Sequence, residues 1–209
     1  MKRIILAITV TTAACNTASE PFLLDHAQIL AVRSEPAHVA AGGTVRIDAL
    51  VGNDAGDIQV AVPDQVIVEG FAAERGADGW YVQSSPMLPA APTATVAVTI
   101  DGVEWRATKQ LDFGDDHANP TMAAMQVDGV ATQTIATAKG AAPALDVLAG
   151  GADPGTLTYA WYTSIGTLEH YRSAEATLDA GEPGAGTVVV VVRDDAGGVA
   201  WQTIPVEIR

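Results

Sequence analysis

The amino-acid sequence predicts an all-β protein made of two consecutive modules. Short runs alternate between apolar and polar residues, pairs of Gly, Pro and Asp punctuate them, and a valine-rich stretch closes the chain. An alternation with period two marks a strand with one buried face. Helix signals are weak throughout. The best candidate, Pro120 to Gln126, is too short and runs directly into Asp128-Gly129.

The first module begins near Gln28 with ILAVRSEP, followed by PAHVAAGGTVRIDALV. Gly42 and Gly43 supply a permissive turn. After it Val45, Ile47, Ala49 and Val51 alternate with Arg46, Asp48 and Leu50, and Leu50 is the one exception to a polar outer face. Further strands are expected at Ile58–Val62, Val66–Gly70, Trp80–Gln83, Thr93–Ile100 and Val103–Phe113. Asp101-Gly102 between the last two is a strong hairpin signal. Pro86, Pro89 and Pro92 exclude a central strand from the segment that holds them, because proline cannot donate to the ladder.

GDDHANP, residues 114–120, interrupts the pattern and is read as a linker between a first domain, 28–113, and a second, 121–209. The second domain is expected to contain strands at Val130–Ala138 and Ala144–Leu148. In LTYAWYTSIGTL, Leu157, Tyr159 and Trp161 share one face, with Trp161 as the central core aromatic. Thr158, Ala160 and Tyr162 share the other. Val188 to Val192 form a continuous apolar strand, expected to be covered on both sides or to face the other domain. A turn at Asp194–Gly198 leads to a last strand from Val199 to Ile208. Consecutive valines favour sheet over helix because helices restrict their rotamers.

Residues 157–208 resemble PKD and related bacterial immunoglobulin-like domains. The matching residues are Tyr159 and Trp161, Val188 to Val192, Asp194, Gly197 and Gly198. The run YTSIGTL stands where the strict PKD pattern has Asp-Phe-Gly-Asp-Gly, so the chain looks like a looser relative. The opening run from Ile29 resembles the first strands of Ig-like modules in bacterial surface lipoproteins. The resemblance implies tandem immunoglobulin-like β-sandwich domains, with Tyr159, Trp161, Val190 and Val192 in the second core. Domains of this type act as stalks, spacers, adhesive modules or parts of envelope assemblies.

The chain starts MKRIILAITVTTAACN. A basic start, a short apolar stretch and small residues are the layout of an export signal, and the stretch is too short to span a bilayer. TTAAC resembles the lipobox of bacterial lipoproteins, with Thr12 where Leu is usual. The resemblance implies a signal peptide over 1–14, lipidation of Cys15 with palmitate-type chains, and a flexible tether over 15–27. Asn16 after the cysteine implies the outer membrane. Several acyl chains anchor stably where one does not. The alternative is an ordinary signal peptide cut nearby. One cysteine forms no internal disulfide, so the fold must rest on its apolar core.

The formal charge is -14, from 25 acidic and 11 basic residues, which disfavours nucleic acid as a partner. The partners expected are the lipid bilayer through acylated Cys15 and an envelope protein or polysaccharide. Trp80 and Tyr81 are the candidate recognition residues. The nucleophile-elbow, zinc-hydrolase, Walker and dinucleotide patterns are absent, and no cofactor is expected. His26, His38, His117 and His170 are scattered along the chain. Asp112, Asp115 and Asp116 are weak calcium candidates, since calcium takes several oxygen ligands from loops. These readings predict a non-enzymatic, lipid-anchored envelope protein. The alternatives are a small exported enzyme with a loop-assembled site and a structural subunit of an envelope assembly.

Overall fold

A computed structural model describes residues 20–84, 91–151 and 156–209. Cys15, the signal peptide and Pro86 and Pro89 lie outside the described residues. Among the described residues no helix is long and apolar enough to cross a membrane. The architecture is all-β, built from several small sheets.

The first half contains β1 (Gln28–Glu35), β2 (Thr44–Gly52), β3 (Ile58–Ala61), β4 (Gln65–Val68), β5 (Ala73–Arg75), β6 (Trp80–Gln83), β7 (Thr93–Ile100) and β8 (Val103–Gln110). One sheet runs β1-β2-β6-β5, with β3 also on β2, and a second runs β4-β7-β8. All of their pairings are antiparallel. The two sheets face each other across one core, in which Val45, Ile47, Ala49 and Val51 of β2 meet Val66 and Val68 of β4 and Ala94, Val96, Val98 and Ile100 of β7. Asp101 and Gly102 form the β7–β8 turn with φ of 51° and 79°. Two successive positive φ values match the right-handed twist of the flanking strands.

The second half contains β9 (Thr121–Met122), β10 (Gln126–Val127), β11 (Val130–Ala131), β12 (Ile135–Thr137), β13 (Ala144–Asp146), β14 (Ala149–Gly150), β15 (Thr158–Thr163), β16 (Thr167–Glu169), β17 (Glu175–Asp179), β18 (Gly184–Arg193) and β19 (Val199–Ile208). One sheet runs β12-β19-β18-β15, the other β11-β10-β13-β17-β16, and β9 pairs with β14. The β12–β19 pairing is parallel. Both larger sheets bury side chains in a second core around Trp161, which is fully buried and donates its indole N–H to the Ser173 carbonyl at 2.8 Å. Val190 and Val192 are buried beside it, and Tyr159 packs partly buried against it.

A third apolar cluster joins the halves. Leu24, Leu30, Ala31 and Leu50 meet Val189, Val191 and Val199, with Tyr162 and Trp201 at its margin. Successive strand residues point to opposite faces. Val188, Val190 and Val192 therefore enter the second core while Val189 and Val191 enter this seam. Leu50 breaks the polar pattern of β2 for the same reason.

Several expectations need correction. The strand expected over Val130–Ala138 is two strands in different sheets, separated where the Thr132 hydroxyl donates to the Thr134 carbonyl at 2.7 Å. A side-chain bond of this kind competes with the ladder. The tether expected over 15–27 does not reach through Phe22–Leu24. Phe22 is buried in the second core, Leu24 in the seam, and Leu24 N–H donates to the Thr163 carbonyl at 2.8 Å. The Pro120–Gln126 segment supplies β9 and the start of β10.

Trp161→Ala should lower stability by about 3–5 kcal/mol, the usual cost of emptying a core aromatic site. Leu50→Ala should cost about 2–5 kcal/mol, far above the roughly 0.5 kcal/mol of a surface change. Urea unfolding of both variants measures this, and a surface-like value for Leu50 would refute its place in the seam.

Candidate functional site

The site lies where the 111–119 segment crosses the end of β1. Leu111 and Phe113 are fully buried in the first core. The alternation of an extended chain then turns Asp112 the other way. His38 lies just beyond β1, held on both sides by backbone bonds. Its N–H donates to the His117 carbonyl at 3.1 Å, and the following Val39 N–H donates to the Asp112 carbonyl at 3.3 Å.

These bonds bring His38, Asp112 and Asp115 together, with one ligand-capable atom of each within 4.8 Å of the others. His38 is mostly buried, its side chain 11% exposed, whereas the Asp115 side chain is 82% exposed and marks the open side. The His38 Nε2 contacts the Ala196 carbonyl oxygen. A carbonyl can only accept, so Nε2 carries the hydrogen, and Nδ1 is the ring nitrogen left to meet a carboxylate or, in the neutral tautomer, a metal ion. Nδ1 lies 3.4 Å from Asp115 Oδ1. A proton on Nδ1 or a bound cation satisfies this pair equally. Metal-ligating histidines commonly donate their other ring N–H to a backbone carbonyl in this way.

The Asp194–Val199 turn between β18 and β19 is gripped by the first half and the 114–120 segment. His117 Nε2 lies 2.9 Å from Asp194 Oδ2, and the Gly198 N–H donates to Asp194 Oδ1 at 2.6 Å. Val199 N–H donates to Asn119 Oδ1 at 2.7 Å, while the Asn119 amide donates to the Ser34 carbonyl at 2.8 Å. Lys109 donates to the Gly197 carbonyl. A Cβ on Gly198 would lie 2.9 Å from Pro120 Cδ, so this close approach requires glycine. Burial pushes the Lys109 ammonium below the usual lysine range, and Arg193 adds to this against the opposing pull of Asp194.

The structure separates the three aspartates read as calcium candidates. Asp112 and Asp115 join His38, whereas Asp116 Oδ1 accepts from the Ala40 N–H at 2.9 Å. Trp80 is partly buried against the first core and donates its indole N–H to the Pro63 carbonyl at 2.7 Å. Tyr81 is at the surface, its hydroxyl bonded to Asp78 Oδ1 at 2.7 Å, a contact that lowers the Asp78 pKa and raises that of Tyr81.

The expectation of a non-enzymatic protein, with no enzyme activity, is corrected by the His38–Asp112–Asp115 group. One imidazole and two carboxylates form a donor set that can chelate a divalent ion on a loop-built site. Motif spacing misses the group because His38 and Asp115 are 77 positions apart. The one local signal is the Leu111-Asp112-Phe113 alternation. Nothing near His38 distinguishes it from the other histidines.

No protein-family model and no curated protein matches the chain. Among solved structures, the chain is similar to a nucleoside hydrolase-related hypothetical protein from Saccharophagus degradans, associated with carbohydrate metabolism. That likeness has 19% identity over 45% of this chain and 26% of the other, with a TM-score of 0.35. A chimeric titin Z1Z2 gives 14% identity over 88% of this chain and 97% of the other, at a TM-score of 0.32. The Yersinia pseudotuberculosis adhesin InvE gives 12% identity over 88% and 59%, at 0.28. TM-scores of this size assign neither a family nor an activity.

Asp194→Ala strands the Gly198 N–H and the His117 ring, and should cost about 1–3 kcal/mol; Asp195→Ala, at an exposed neighbour, should stay within about 0.5 kcal/mol. Chemical denaturation of the pair checks this, and equal values would refute the role of Asp194. The lowered Lys109 pKa has its own signature. The unfolded chain holds this proton more tightly than the folded one, so the stability contributed by Lys109 rises as pH climbs from neutral toward the lysine range and is lost as pH falls. Lys109→Met should remove that rise, read as unfolding free energy between about pH 7 and 10.

Proposed function

We propose that this chain is an exported cell-envelope protein whose two tandem Ig-like β-sandwiches, 28–113 and 121–209, build a divalent-metal site at their junction for metal-assisted hydrolysis. The leader and TTAAC support export and anchoring through an acylated Cys15. Two facing-sheet cores support the division into sandwiches.

One observation carries the functional reading: a ring nitrogen of His38 and a carboxylate oxygen from each of Asp112 and Asp115 lie within 4.8 Å of one another, while His38 Nε2 contacts the Ala196 carbonyl. Three protein ligands and an open side are the arrangement of catalytic rather than structural zinc sites. An imidazole ligand favours a first-row transition ion such as zinc or manganese over calcium. An ion bound there would supply Lewis acidity for hydrolysis. His38 and Asp112 would hold it, Asp115 would complete the set from the solvent side, and the Ala196 carbonyl would keep the ring oriented.

Calorimetry and metal analysis after dialysis should find one equivalent of zinc or manganese bound, with calcium weaker. His38→Ala should weaken binding by at least about tenfold. The loaded wild type should hydrolyse bis(p-nitrophenyl) phosphate or p-nitrophenyl acetate faster than the chelated protein or His38→Ala. Failure to bind either ion, or unchanged binding in His38→Ala, refutes the metal site. Metal binding without a rate difference refutes the hydrolytic role.

A further inference from the structure

A separate cavity of about 290 Å³ opens beside the gripped turn, where the edge strands β1 and β8 of the two facing sheets part. Ile29, Val32, Ala107 and Val199 give it apolar walls, and Lys109 and Arg193 bring two cations to it. Both cations are partly buried. Among the described residues neither forms an ion pair within 4.0 Å, as is also true of Arg75 and Arg172, whereas Arg33, Arg46, Arg106, Lys139 and Arg209 each do, and the Asp194 carboxylate acts on Lys109 from a longer distance. Their protein partners are neutral carbonyls, Gly197 for Lys109 and Leu30 for Arg193, the latter at 2.9 Å. An ammonium has three donors and a guanidinium five, so both retain hydrogen-bonding capacity. Asp194 also lines the cavity, but both its oxygens are engaged by His117 and Gly198.

Partly buried charges are ordinarily paired, because desolvation without a counter-ion is costly. In a chain of net charge -14, two cations at one cleft with a single carboxylate, Asp194, to offset them leave an excess positive charge that marks a place for an anion. We propose that this cleft binds a small monocarboxylate with a short apolar body, its carboxylate held between Lys109 and Arg193. The guanidinium fork fits a carboxylate, and the apolar walls accommodate the hydrocarbon part. With Asp194 present the lining carries a single net positive charge, which suits a monoanion better than a phosphate dianion. The burial that lowers the Lys109 pKa is relieved when such a ligand neutralises the ammonium. This site does not depend on the metal.

The test is an amide-resolved NMR titration of the full chain, kept in chelator so that the junction metal plays no part. The probes are hexanoate, hexanamide and inorganic phosphate. Hexanoate alone should give saturable shifts at Leu30, Gly197 and Val199. Its affinity should fall by at least about tenfold in Lys109→Met and in Arg193→Gln, as expected for loss of a charge-assisted hydrogen bond. Absence of saturable shifts with hexanoate, equal shifts with hexanamide, preference for phosphate, or undiminished binding by folded variants would each overturn the proposal. If neither variant folds, the comparison of hexanoate with hexanamide on the wild type still decides it.

Discussion

The burial of β18 on both faces organises this molecule. A strand that meets solvent on one side can alternate, but this one cannot, because its even-numbered valines fill the second core while Val189 and Val191 press against Leu30, Ala31 and Leu50 of the first half. The result is four sheet layers in sequence. The β4-β7-β8 sheet backs on the β1-β2 sheet, whose outer face meets the β18-β19 sheet, which in turn covers the β13-β17 sheet. With one cysteine in the chain, no internal disulfide supplements this packing. Burial of apolar area at roughly 25 cal/mol per Å² must hold it together.

Polar groups at the seam follow from the same packing. Asp48 is almost fully buried, and Arg33 and Arg46 reach it at 2.7 and 3.3 Å. Arg33 also lies 4.2 Å above the Trp201 ring, so it bridges the carboxylate of one half and the aromatic of the other. Replacing one partner of such a pair would leave a charge in the low-dielectric seam. Desolvation offsets much of the Coulombic gain of such a buried pair, so its net contribution to stability is small.

Seating β18 against β1 also carries its hairpin turn into the 111–119 segment. The turn carbonyls of Ala196 and Gly197 become partners for His38 and Lys109, and Asp194 becomes the partner of His117. The candidate metal-ligating group and the cleft proposed for a carboxylate both lie beside this turn, the first built from an imidazole and two carboxylates and the second from two cations.

Local patterning determined a good deal. Alternation placed β2, β7 and β15, Asp101-Gly102 marked the β7–β8 hairpin, and the faces of Trp161 and Tyr162 followed from strand parity, since these features depend only on neighbours two residues apart. The strand break at Thr132–Thr134, the packing of Phe22–Leu24 and the inward turn of Trp80 depend on side-chain bonds and long-range contacts that no period records. The valine run predicted a strand covered on both sides or one facing the other domain, and the tertiary structure decided that the second cover is the first half of the chain. The candidate site was legible only in its Asp112 and Asp115 portion. His38 joined it through backbone bonds to residues far along the chain, and its ring is oriented by a carbonyl from the other half. Sequence spacing carries no information about such a meeting, because three-dimensional packing brings the ligands together.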